Sequence, residues 1–297
     1  MPIGQILLNI YDKHYKKLML ASLLLLLLCF VSLGITYTKT GELFQKGVTL
    51  KGGITMTIPI SEPVNIQQLT EAVSKELPNA DIGIREIVEG GNPKALIVEA
   101  ADAEVEELEN ALQNNGIALE QGKYSVESMG SSLGQSFYSQ TIKAVIFAFI
   151  AMALVVFLTF RAFIPSLFVI LAAFSDIIST LAVIDLLGVK ISTAGIAAFL
   201  MLIGYSVDTD ILLTTKVLKR KGEGGNIFQR TVSAMKTGCT MTMTGFAAAM
   251  IGYLFTQSEV IKQIMLIIAI GLVFDLIYTW FQNAGILRWY MEKHGQN

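Results

Sequence analysis

A chain of 297 residues that is 53% hydrophobic and only 15% charged carries more apolar surface than one soluble globule can bury, so it reads as a multi-span membrane protein. A formal net charge of −2 leaves no basic field to hold a nucleic acid. Cys29 and Cys239 lie far apart in apolar runs, where thiols pack as small hydrophobes, so no disulfide is expected.

Lys13, Lys16 and Lys17 precede an uncharged run from Leu18 to Tyr37. A secretory signal also begins basic and turns apolar, but its core is roughly 7 to 15 residues and ends at small residues. This run is longer and continues as VSLGITYT, which predicts an uncleaved first span.

Between residues 38 and 138 charges become frequent, the texture of a soluble domain of about 100 residues. Val48–Ile60 (VTLKGGITMTIPI) alternates and is β-branched, predicting a strand broken by a bulge at Gly52 and Gly53. Asn65–Leu77 places Ile66, Leu69, Val73 and Leu77 on one helical face, with Asn65 as N-cap and Pro78 as stop. Asp81–Val88 alternates again, EGGNP makes a turn, and Lys94–Glu99 is a further strand. Asp102 is the expected cap of a second helix through Asn114, with Val105, Leu108, Ala111 and Leu112 inward. Lys123–Val126 opens the last strand. The order β-α-β-β-α-β is that of a ferredoxin-like split βαβ sandwich. Asp102, Glu104, Glu106, Glu107 and Glu109 crowd the second helix; such a run is a solvated face or, alternatively, a docking surface.

Five more apolar runs follow: Ile142–Phe160, Ser166–Leu187, Ile191–Thr214, Thr237–Phe255 and Val260–Gly285. Each approaches or exceeds the roughly 20 residues that cross a bilayer as a helix. Pro165 sits where a first helical turn tolerates it, and no other run contains proline, so six continuous helices are predicted. Lysine and arginine set the orientation. Lys13 to Lys17, Arg161, the group Lys216, Lys219, Arg220, Lys221 and Arg230, then Arg288 and Lys293 mark inner ends, whereas Lys190 and Lys262 are nearly alone outside. The expected map is a cytoplasmic N-terminus with the first span (1–37), an extracytoplasmic domain (38–138), five spans (139–287) and a cytoplasmic tail (288–297) of a protein in the cytoplasmic membrane.

Asp176, Asp185, Asp208, Asp210 and Asp275 lie within the later spans. A charge at bilayer depth costs roughly 2.5 to 3.5 kcal/mol on insertion scales and marks a path or a helix contact. Asp176 and Asp275 fall near mid-span, while Asp185 is close to an outer end and expected to be wet. Asp208 and Asp210 point about 200° apart on a helix, so one of them lines any path. Asp208 shares a face with Gly204 and Tyr205 and is read as the deeper; Asp210 stacks with Ser206 and Thr214 and lies within reach of cytoplasmic water. Two readings stand: carboxyls that hydrogen-bond between helices, or a proton relay whose carboxyl changes charge as water reaches it from alternate sides. The hydroxyls between Thr237 and Thr244 read as interhelical glue. No G-x-x-x-x-G-K-[ST] occurs, and His14 and His294 lie outside the spans, so neither a P-loop ATPase, a histidine metal site nor a cofactor is expected. The Tyr-Asp and Gly-x-Gly-Asp pairs of intramembrane aspartyl proteases are missing from the spans, and no enzymatic chemistry is expected.

Ile203–Arg220, IGYSVDTDILLTTKVLKR, resembles the signature of the SecF family, accessory subunits of the Sec protein-export machinery, in its archaeal form. GVTLKGG (Gly47–Gly53) is similar to the family's Gly-Gly motif after the first span. SVESMGSSLGQSF is similar to the stretch before the second, though Glu127–Met129 depart from it. Gly52, Gly53, Gly204, Tyr205 and Ser206 are the motif positions. The resemblance implies one half of an RND-like transporter, pairing with a SecD-like subunit beside the Sec translocon channel and using the proton gradient to help a translocating preprotein emerge. It also implies that the bacterial transport aspartate falls at Thr209, with Asp208 in the neighbouring asparagine slot. The arginine of the next span has only Lys236 and Gly238 near its place. The proton-path candidates are Asp208, Asp210 and Asp176. The rival readings are a stand-alone RND-like proton-driven exporter and a non-transporting scaffold of the translocon.

Overall fold

The structure, a computed structural model, describes residues 3–89, 92–120, 122–218, 226–256 and 258–293. The Gly90-Gly91 turn, Lys219, Arg220, Lys221 and His294 lie outside these residues. The chain divides into an α/β unit (Lys46–Ile142 with Ile191–Thr193) and a helical unit (Met1–Gln45, Lys143–Lys190 and Ala194–Asn297).

In the α/β unit a short helix α2 (Val48–Lys51) leads into β1 (Gly53–Pro59), α3 (Ile66–Glu76), β2 (Asp81–Glu89), β3 (Asn92–Ala101), α4 (Val105–Asn114) and β4 (Ser125–Met129). The strands lie in the order β2-β3-β1-β4 with every pair antiparallel, the ferredoxin-like arrangement expected from the alternation. Register follows from side-chain period: Ile54, Met56 and Ile58 of β1 stand opposite Ala100, Val98 and Leu96 of β3. All six are buried on one face. Leu69 and Val73 of α3 and Leu108, Ala111 and Leu112 of α4 close that core from above. Tyr124 donates to Glu109 at 2.8 Å, tying the segment before β4 to α4. That bond holds the phenol above its ordinary pKa.

Asn65 caps α3, its side chain accepting from the Gln68 amide at 3.2 Å. Asn65→Ala is expected to cost the domain about 1 kcal/mol, since an orphan amide of the first turn loses its partner. Local hydrogen exchange over 66–70 reads it.

Two local expectations are corrected. Val48–Lys51 is a helical turn rather than the first half of a strand: Gly52 terminates it at φ +90°, its amide bonding the Val48 carbonyl at 2.7 Å, and the strand starts at Gly53. The glycine pair is a helix-to-strand joint. The cap of α4 is Glu104, not Asp102; the Glu107 carboxylate accepts from the Glu104 amide at 3.4 Å. Asp102 sits two residues earlier at φ +58°.

The helical unit is built from α1 (Ile3–Thr40), α5 (Ser131–Phe160, entering from the other unit), α6 (Phe163–Leu186), α7 (Thr193–Leu218), α8 (Ile227–Phe255), α9 (Glu259–Ile277) and α10 (Ala284–Lys293). Among the described residues six helical stretches are long and apolar enough to cross a membrane, the sixth running from Val260 to Lys293. In α6 and α7 half or more of the apolar window is buried, so these two form the centre. Much of α1 and α5 instead presents leucine, isoleucine and phenylalanine outward, as lipid contact requires. Cys29 and Cys239 are free thiols.

The last span is not the continuous α-helix its composition predicts. Tyr278–Asn283 is a π-helical segment between α9 and α10. It contains no proline or glycine, and its side chains and backbone meet neighbouring helices. Trp280 fills the space above Gly238 of α8, where a Cβ would meet the ring at 2.4 Å. Tyr11 of α1 donates to the Trp280 carbonyl at 2.7 Å. Beyond it, Arg288 binds Asp12 at 2.6 Å and Glu292 at 2.8 Å, clamping α10 to α1.

Candidate functional site

The interior of the helical unit holds three carboxyls, Asp176 of α6, Asp210 of α7 and Asp275 of α9, all at 0% exposure. Each enters the centre because it shares a helical face with small or hydroxylated residues: Ser175, Ser179 and Thr180 around Asp176, and Ser206 and Thr214 one turn either side of Asp210. Ser206 donates to Asp176 Oδ2. Asp275 Oδ1 accepts from Thr209 at 2.9 Å and Thr279 at 3.0 Å, and its Oδ2 accepts from Thr242 of α8 at 3.0 Å. Asp210 Oδ1 accepts from Thr279 at 3.0 Å and from the Asn283 amide at 2.7 Å. Thr279 therefore stands between two carboxyls, and its single hydroxyl proton can serve one of them fully at a time.

The π segment supplies much of this lining. Tyr278 and Ser179 share a hydroxyl contact of 2.6 Å, Gln282 donates to Ser175 at 3.0 Å, and Thr279 and Asn283 reach Asp210. A π turn is a recurrent feature of functional sites because it re-aims side chains that a regular helix would turn away. Among the described residues no lysine or arginine is paired with any of the three carboxyls. Asp176 Oδ1, Asp210 Oδ2 and Asn283 Oδ1 are buried with no hydrogen-bond partner. The arrangement is a buried, hydroxyl-lined cluster of acids in which Thr279 bridges Asp210 and Asp275 and Ser206 holds Asp176.

The five acids of the later spans separate accordingly. Asp210 and Asp176 enter the network, and Asp275, read as mid-span but not taken as a proton-path candidate, is at its centre. Asp208 stands on the opposite face of α7 with Gly204 and Tyr205, and all three are exposed in this chain. Within this chain Asp208 is the exposed member of the pair and Asp210 the buried one, enclosed rather than open to water; the 200° separation of the two holds. Asp185 is buried rather than wet, accepting from Thr36 at 2.6 Å and the Gln45 amide at 3.3 Å. Of the hydroxyls read as glue, Thr242 bonds Asp275. Gly238, near the place of the missing arginine, makes room for Trp280. Tyr205 with Lys236, Thr237, Thr240, Met241 and Thr244 lines an open groove between α7 and α8 of about 690 Å³. The motif glycines Gly52 and Gly53 lie in the α/β unit, where a Cβ on Gly134 would come within 2.6 Å of the Gly52 nitrogen. The two motif stretches quoted from either side of the domain thus touch.

Six helices long and apolar enough to cross a membrane, a ferredoxin-like domain inserted after the first, and buried acids at the centre define a polytopic membrane protein. Residues 108–293 match the family described as protein export membrane protein SecD/SecF, C-terminal. The chain is 34% identical to the protein-export membrane protein SecF of Methanolacinia petrolearia, over 99% of this chain and 100% of that one. It is 38% identical to SecF of Methanothermobacter thermautotrophicus over 84% and 85%. Its fold is similar to that of SecDF from Thermus thermophilus, a translocon-associated membrane protein, with a TM-score of 0.75 at 16% identity. That match covers 94% of this chain and 38% of the other. The chain belongs to the SecD/SecF family of protein-export membrane proteins, as a SecF-type member.

Proposed function

We propose that this chain is the SecF-type subunit of a SecD–SecF complex that assists protein translocation across the cytoplasmic membrane, drawing on the proton gradient through its buried carboxyls. The observation that carries the reading is the network itself. Asp176, Asp210 and Asp275 sit fully buried among hydroxyls with no basic partner among the described residues, an arrangement that apolar side chains would replace at lower cost if packing were its only purpose. Asp208 adds a second candidate on the exposed face of α7. With Gly204, Tyr205 and Lys236 it forms a polar stripe that lipid does not tolerate and a SecD-like subunit would cover. The length of SecDF, of which this chain matches 38%, leaves room for such a half within one polypeptide.

Lysine and arginine placement supports both termini lying inside and residues 38–138 outside, where the domain would meet emerging preprotein beside the translocon channel. The domain map of 1–37, 38–138, 139–287 and 288–297 is part of this proposal.

Asp176→Asn, Asp208→Asn and Asp210→Asn, made singly, test it. At least one is expected to slow export of a reporter preprotein by about tenfold, on the order of 1.4 kcal/mol of lost coupling. The complex should assemble normally. Unchanged export with intact assembly in all three favours the scaffold reading, which the saturated hydrogen bonding of Asp275 also suits. Transport by vesicles holding this chain alone would favour the stand-alone exporter.

A further inference from the structure

Six threonines in the spans share a habit that Thr214 lacks, and others bond side chains instead. Thr141, Thr159, Thr180, Thr231, Thr240 and Thr244 turn their hydroxyls back onto the carbonyl four residues earlier, at 2.6 to 2.9 Å. This is the usual way a buried hydroxyl is satisfied in a helix. Thr214, fully buried on α7, leaves its hydroxyl without a partner although the Asp210 carbonyl stands four residues before it.

Two more unpartnered buried oxygens belong to Asp210 and to Asn283, which bonds it. Asp210 lies one helical turn away on the same face, and its Oδ2 is unbonded. Asn283, the last residue of the π segment, bonds Asp210 Oδ1 through its amide nitrogen at 2.7 Å, which leaves its own amide oxygen beside the carboxyl and unbonded. All three residues are at 0% exposure. A buried polar atom that nothing meets destabilises the fold. A carboxylate oxygen, an amide oxygen and a hydroxyl are the donor set of a hard cation. A proton on Asp210 would cancel its charge and a water molecule could bridge the oxygens, whereas a cation does both at once in the state where the carboxyl is ionised. The single acid points to a single charge, and among the described residues no group of three or more acidic, histidine or cysteine side chains suits a multivalent metal.

We propose that Asp210, Thr214 and Asn283 bind a sodium ion. The inference rests on reading the buried carboxyls as an ion path, and it names a second ion for that path.

Trp280 lies in the same π segment, buried with its indole nitrogen unbonded, and the chain's other tryptophan is the exposed Trp289. In a Trp289→Phe background Trp280 is therefore a built-in reporter. With the full chain purified alongside any partner that accompanies it, NaCl titrated against choline chloride at fixed ionic strength should change Trp280 emission saturably. KCl should require at least about tenfold more, a preference near 1.4 kcal/mol. Thr214→Ser should keep the response and Thr214→Val abolish it. Because the hydroxyl has no hydrogen bond to lose, Thr214→Val should melt no lower than the parent. An emission indifferent to sodium, or Thr214→Val titrating like the parent, overturns the site. Should that variant fail to fold, the parent's retention of radioactive sodium decides: retention above a choline-washed blank supports the site and none refutes it. Export lost in the asparagine variants while Trp280 ignores sodium leaves the ion path standing and removes this site; the opposite pair of results does the reverse.

Discussion

Gly53→Ala is expected to open the α/β domain. Gly53 sits at φ +131°, a region closed to residues with a Cβ, and an ideal Cβ there would lie 2.3 Å from the Ala100 carbonyl oxygen and 2.9 Å from Ala101 Cα. Both are backbone atoms of β3. They cannot move aside without losing the Ile54–Ala100 pairing that sets the register of the whole sheet. Backbone strain of this kind costs about 1 to 3 kcal/mol, and overpacking costs a similar ~1 to 3 kcal/mol. A domain stable by roughly 5 to 15 kcal/mol has little margin for both. Hydrogen exchange over β1 and β3 of the intact protein should rise by orders of magnitude, and protection equal to the parent's would remove the argument. Gly134→Ala is expected to act at the same joint, pressing a methyl onto the Lys51–Gly52 peptide, so the two glycine motifs fail together.

That joint shows what periodicity reveals and where it stops. The β-α-β-β-α-β order and the inward faces of α3 and α4 were legible because burial imposes periods of two and 3.6 on any half-buried element. Val48–Lys51 was not legible, since VTLK alternates as well in a helical turn as in a strand and only the Gly52 amide bond to Val48 decides. Glu104 was hidden as a cap by Asp102, a better capping type standing two residues too early. In the site, the rarity of charge within apolar runs exposed every acid, and helical geometry separated Asp208 from Asp210 correctly. Which face meets other helices depends on tertiary packing, and depth along the helix axis carries no signal of it. The π segment had no local mark at all. YTWFQN contains neither glycine nor proline, and the contacts it makes are with Gly238, some forty residues away, and with Tyr11 at the other end of the chain.

Asp275→Leu should show whether the acid network serves stability or transport. Three hydroxyls converge on this carboxyl, from α7, α8 and the π segment. Thr209 retains the Ser206 carbonyl at 2.8 Å and Thr279 retains Asp210, but Thr242 has no second acceptor among its described bonds. Orphaning Thr242 and inserting a bulkier side chain among α7, α8 and α9 should lower stability by about 3 kcal/mol, read as a thermal shift in detergent. Asp275→Asn, which keeps an acceptor, should lose about 1 kcal/mol. Adding Thr242→Val to Asp275→Leu should recover part of the loss, because the second substitution removes the group the first left unpaired. If the double variant melts above the parent yet no longer supports export, the acid is held in the membrane at a cost to the fold, as an ion-handling group would be. If it melts above the parent and exports normally, Asp275 is dispensable glue, and the path must run through Asp210 and Asp176 without it.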